Sequence, residues 1–133
     1  MEILYINTSN YNAKIGLISD NKSKFLKFQA KNRLSNILLT RIDKLLKENK
    51  IVPKKLKAIA VFKGPGSFTG LRIGIATANA FTFSLKIPLI EIDKEDNSLA
   101  KIIREKFKNK IFTNIIIPFY GKPPNITKPK TKK

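Results

Sequence analysis

One stretch restricts the possible folds more than any other: Gly64-Pro65-Gly66-Ser67-Phe68-Thr69-Gly70-Leu71-Arg72-Ile73-Gly74-Ile75-Ala76-Thr77-Ala78. Its glycines permit a tight reversal from strand to helix and close backbone approach. Ser67 or Thr69 is placed to cap the helix that follows, because a hydroxyl at that point accepts a free first-turn amide. From about Thr69 to Leu85 the only ionised side chain is Arg72. A helix apolar nearly all round has to be covered on two sides. Gly70, Gly74 and Ala78 recur at four-residue steps and form one flat ridge, which lets another helix come close. Leu71, Ile75, Phe81 and Leu85 extend the apolar surface beside it. In so short a chain, one covered side is expected to meet a partner protein. The alternative is that the chain's other long helix covers it.

The rest of the pattern supplies a sheet for this helix. Ile3 to Ile6 is a short apolar run, read as a buried strand. Lys14 to Ser19 reads as a second strand, closed by the turn formers Asp20-Asn21-Lys22. Between Lys24 and Ala30, Leu26, Phe28 and Ala30 alternate with Lys27 and Gln29, the period of a half-buried strand. Leu34, Ile37, Leu38, Ile42, Leu45 and Leu46 then recur at helical steps, predicting an amphipathic helix over 32–49 with Arg41, Lys44 and Lys47 facing water. Ala58 to Phe62 is continuously apolar, as in a strand covered on both faces. Leu89 to Ile92 predicts a further strand, 97–109 a third helix and Ile115 to Ile117 a last short strand. The order is βββαβαβα, an α/β class with right-handed crossovers and a mixed sheet. Ribonuclease H-like and actin-like ATPase domains share that order, an analogy of fold that carries no function.

Composition excludes several chemistries. The 133 residues contain no Cys and no His, which removes thiolate chemistry, the commonest general base and the commonest metal ligand. No metal site and no cofactor is expected. The 27 Lys and Arg against 9 Asp and Glu leave a net charge of +18, which favours polyanionic partners or acidic protein surfaces. Residues 99–133 alone hold ten basic side chains and one acidic one. No apolar run is long enough to span a membrane, and MEILYINTSN lacks the layout of a signal peptide, so a cytoplasmic location is expected.

The glycine turn fits none of the common nucleotide motifs. A phosphate-binding loop requires Lys after its second glycine, and Leu71 follows Gly70. The dinucleotide fingerprint requires a third glycine where Thr69 stands. A nucleophile elbow has neither its flanked Ser nor a His to activate it. What remains is a packing turn without ligand, or a simple anion site built from Gly64, Gly66, Ser67, Arg72 and the amide end of the helix.

Taken as a whole, GPGSFTGLRIGIATA resembles the signature of the bacterial TsaB (YeaZ) family, and the similarity covers roughly residues 1–93. The opening strand ending in Asn7-Thr8-Ser9 and the Ile87-Pro88-Leu89 after the signature agree with it. The resemblance implies an actin-like fold used as a non-catalytic scaffold subunit. In that family the subunit pairs with its paralogue TsaD, which transfers threonylcarbamoyl to adenosine next to the anticodon of tRNA; the ATPase TsaE joins the assembly. It implies that the first two helices contact TsaD, or form a homodimer when TsaD is absent. Leu34, Leu38, Ser67, Phe68, Thr69, Gly70, Leu71, Gly74, Ile75 and Ala78 are the expected interface. The chain departs from the family at Asn7, where an acidic residue is common, and at Leu34-Ser35-Asn36. Against the family's pattern, most of the usual second domain is expected to be missing.

On this basis residues 1–98 form the N-terminal domain, 99–119 a remnant helix and strand of a reduced second domain, and 120–133 a basic, Pro-rich tail. Tyr120, Lys122, Pro123, Pro124, Asn125 and Ile126 are expected to lie along the partner, and Lys128 to Lys133 to touch tRNA phosphates. Two other classes compete with the scaffold: an actin-like nucleotide hydrolase, and a basic RNA-binding module.

Overall fold

The computed structural model describes residues 1–10, 12–30 and 33–117; the tail from Tyr120 onward lies outside them. Strands β1 (Glu2–Asn7), β2 (Asn12–Ile18) and β3 (Ser23–Gln29) precede helix α1 (Leu34–Glu48). A 3-10 turn, Pro53–Lys55, leads into β4 (Leu56–Phe62), then α2 (Phe68–Leu85), β5 (Leu89–Ile92) and α3 (Leu99–Lys108). The sheet has the order β3-β2-β1-β4-β5. The first three strands pair antiparallel, and β1, β4 and β5 run parallel.

Parallel strands joined by helices are covered on both faces, which is why β1 and β4 read as unbroken apolar runs. Ile3, Leu4, Tyr5 and Ile6 are fully buried, as are Ala58 to Val61. The register makes room for the one large ring among them. Tyr5 lies opposite Gly16 on β2 and Ala60 on β4. The Phe25 ring covers Gly16 closely enough that a Cβ there would sit 2.5 Å from it, and it meets Tyr5 edge-on at 6.2 Å. Helices α1 and α2 pack together on one face of the sheet, with α2 against β4 and β1. Helix α3 packs on β5 and β2 and buries Leu99 and Ile103. Its Arg104 donates to the carbonyls of Ser19 and Lys22, pinning the β2–β3 turn. Among the described residues, no helix is long and apolar enough to cross a membrane.

Two expectations need correction. Ile115 to Ile117 do not form a strand; the segment makes one antiparallel bridge, between Leu89 and Thr113. Continuing that ladder would set Ile115 opposite Ile87, next to the left-handed Lys86 that ends α2 and to Pro88, which has no N–H. Arg41 is not a free solvent charge, because its guanidinium lies over the Phe28 ring at 5.4 Å.

Because α3 stands over the sheet through few side chains, Ile103 anchors it. Ile103→Ala is expected to cost about 2–5 kcal/mol in urea denaturation, with hydrogen exchange in Leu99–Lys108 accelerated beyond that of α1.

Candidate functional site

Chemistry-bearing side chains gather where β1 ends and α2 begins. Thr8, directly after β1, is only 2% exposed. Its hydroxyl donates to the Gly70 carbonyl at 2.6 Å. A Cβ on Gly70 would collide with the Thr8 carbonyl, and one on Gly74 with the Thr8 hydroxyl. The glycines of α2 are therefore required by the chain's own first strand. Ser9 completes the contact. Its carbonyl accepts from the Ser67 N–H at 2.8 Å, and its backbone occupies the space that a Cβ on Gly66 would need. Gly64 has φ 125°, a backbone that disfavours side chains. Ser67 caps α2, its hydroxyl accepting from the Gly70 amide at 3.1 Å.

This geometry overturns the assignment of the Gly70, Gly74 and Ala78 ridge to a foreign helix. Gly70, Leu71, Gly74, Ile75 and Ala78 are buried under the fold itself, as are Leu34 and Leu38 on α1. Of the expected interface, Ser67, Phe68 and Thr69 are on the surface. The proposed anion residues do not form a cradle. Gly66 packs on Ser9, Ser67 is committed to its cap, and exposed Arg72 stacks over Phe68 at 5.2 Å.

The opposite side of α2 is the apolar surface that remains open. Leu39 of α1 and Ala76, Thr77, Ala80, Phe81 and Ser84 of α2 line a shallow groove between the two helices. Leu39 is 54% exposed. Phe83, 88% exposed, lies outside this groove and lines a separate cleft with Asn79, Ile87 and Phe112. Ala76, Ala80 and Ser84 repeat the four-residue step on the outer face, so the close-packing ridge available to another helix is this one. The signal was in the sequence: two small-residue ridges exist on α2, and only tertiary packing decides which one faces inward.

A second cluster lies on the other face of the sheet. The Glu95 carboxylate accepts from the Tyr5 hydroxyl at 2.5 Å and from the Asn7 side-chain amide nitrogen at 2.7 Å, and the Lys14 ammonium pairs with it at 3.4 Å. Asn7 also accepts from the Ser9 amide at 2.9 Å. Burial pushes the Tyr5 phenol far above its ordinary value, and the adjacent carboxylate pushes it further. Burial opposes the charge on Glu95, but the donors Tyr5 and Asn7 and the Lys14 ammonium outweigh it and hold the carboxyl below its usual range. Nothing in the local sequence around Glu95 signals this role, because its hydrogen-bond donors Tyr5 and Asn7 are about 90 positions away. Among the described residues no group of three or more His, Cys, Asp or Glu is placed to hold a metal ion.

Two outcomes follow. Gly74→Ala is expected to destabilise by about 2 kcal/mol or more through the clash with buried Thr8, seen as a lower midpoint in urea. Glu95 contributes stability in full above its ordinary value of 4.5, and loses it as pH falls through the lower folded value. Acid titration of unfolding is expected to show that loss in the parent chain and a flatter profile for Glu95→Gln.

Comparison with known proteins agrees with this architecture. Residues 28–110 match the family model described as TsaD: tRNA N6-adenosine threonylcarbamoyltransferase. The chain is 37% identical over 91 residues to the tRNA threonylcarbamoyladenosine biosynthesis protein TsaB of Bacillus subtilis (strain 168), covering 67% of this chain and 39% of that protein. It is 35% identical over 108 residues to TsaB of Buchnera aphidicola subsp. Schizaphis graminum (strain Sg), covering 81% and 51%. The solved structure of YeaZ from Pseudomonas aeruginosa superposes with a TM-score of 0.66 at 24% identity, over 82% of this chain and 49% of that one. The matches thus span about two fifths to half of these relatives. The fold is the ribonuclease H-like, actin-like arrangement that the order of elements implied.

Proposed function

The chain belongs to the TsaB (YeaZ) family, and from that premise we propose that it is a scaffold subunit without catalysis of its own. It holds its TsaD paralogue and thereby supports transfer of threonylcarbamoyl to the adenosine next to the anticodon in tRNA. TsaE joins through that assembly. The observation that carries the proposal is the apolar groove between α1 and α2, which the fold leaves open. Ala76, Ala80 and Ser84 let a partner helix approach closely, and Leu39 and Phe81 supply apolar area to bury. Apolar area contributes about 25 cal/mol per Å² when removed from water.

The Asn7 arrangement supports the non-catalytic part of the proposal. Both ends of that amide are taken within the fold, by Glu95 and by the Ser9 backbone. An amide so held brings no charge to a metal or a phosphate.

Co-purification with the TsaD of the same organism tests the proposal, followed by a modification assay on unmodified tRNA with and without this chain. Ala80→Glu places a charge in the groove without touching the core. It is expected to weaken partner binding at least about tenfold, worth about 1.4 kcal/mol, and to lower modification, with an unchanged Tm. Wild-type behaviour of Ala80→Glu in both assays overturns the assignment of this surface.

A further inference from the structure

The connectivity gathers the ends of all three helices at one pole. Strands β1, β4 and β5 begin at the same end of the sheet, and the β2–β3 turn lies there too, through the Ile3–Ile18 and Ile18–Ser23 pairings. Helix α1 descends to it, shown by the bond from Lys24 to Asn49 at 3.2 Å. Helix α2 ends there because β5 follows it, and α3 because Arg104 reaches Ser19 and Lys22. The glycine turn and the Glu95 cluster occupy the opposite end.

Each helix closes at this pole on a lysine in the left-handed region: Lys50 at φ 57°, Lys86 at φ 57° and Lys110 at φ 56°. These three are all of the positive-φ non-glycine residues among those described. Glycine or asparagine ordinarily fills that position, since a Cβ disfavours the conformation. Charge at a helix C-terminus has a local benefit from the helix dipole. That benefit is equally available from a lysine in the last turn, so it does not require the strained position three times over. Lys54 and Lys55, in the 3-10 turn, and Lys22, in the β2–β3 turn, add three more exposed ammonium groups. Among the described residues none of these six is in an ion pair. Of the acids nearby, Asp20 is engaged by the terminal amine of Met1.

We propose that this lysine pole is a binding surface for the phosphate backbone of RNA, engaged without regard to sequence. Compact ammonium charges on flexible stems suit phosphates spaced along a strand, and their binding releases condensed counterions. The polyanionic character of the ligand follows from the pole itself. That it is RNA rests on the proposed role in tRNA modification.

Glycine substitution separates charge from folding, because it fits the left-handed backbone better than lysine does. The triple variant Lys50→Gly, Lys86→Gly, Lys110→Gly is expected to have a Tm equal to or above that of the parent. Its affinity for an unmodified tRNA transcript, measured by fluorescence anisotropy at about 50 mM salt, is expected to fall at least about tenfold. The slope of log affinity against log salt should shrink by about 2 to 3. A control, Lys27→Gln, Lys94→Gln, Lys101→Gln, removes the same charge elsewhere and should change affinity less than about threefold. Equal losses in the two triples overturn the proposal in favour of diffuse net charge, and an unchanged slope overturns it outright. Tighter binding to phosphatidylserine vesicles than to RNA, lost in the same variant, overturns it in favour of a membrane surface. Association with TsaD is measured separately in each variant, so loss of RNA affinity and loss of the scaffold role are distinguishable.

Discussion

The contact of Thr8 with the glycine side of α2 determines what the rest of the molecule presents. A buried side chain at the end of the central strand fits against two glycines one turn apart, and its hydroxyl is bonded to one of them. That contact brings the helix close to β1 and fixes its rotation. Once Gly70, Gly74 and Ala78 face inward, helical geometry sends Ala76, Ala80 and Ser84 outward. The outer groove is thus a consequence of an interior packing demand. Residues that never reach the surface select the ones that do.

The fold was largely legible from periodicity. Alternation in β3, the three- and four-residue steps of α1 and the continuous apolar run of β4 each found their element within a few positions. Local rules succeeded there because local burial made the pattern. They failed where the deciding partner was remote. Nothing near Ile115 says that its ladder would run into the end of α2. Nothing near Gly74 says that Thr8 fills the space beside it. The choice between two small-residue ridges on one helix is a matter of rotation, and a sequence states both with equal force.

Asn7 illustrates how a family pattern and a local environment inform each other. The resemblance marks the position as one where an acid is common, and the loss of charge there reads as lost phosphate chemistry. In the structure the amide is a brace. It joins the loop after β5 to the end of β1 and orders the turn at Ser9, with Glu95 supplying the carboxylate from across the sheet. The negative charge in this cluster is that of Glu95, paired with Lys14. The arrangement holds two strands and a loop together.

The open flank of β5 has a consequence for behaviour at high concentration. Thr113 takes the Leu89 carbonyl, and the Lys106 ammonium takes that of Glu91. A flank whose acceptors are already claimed, one of them by a cation, is a poor template for a strand from another molecule. At this edge of the sheet, the carbonyls that an added strand would need are therefore already spoken for.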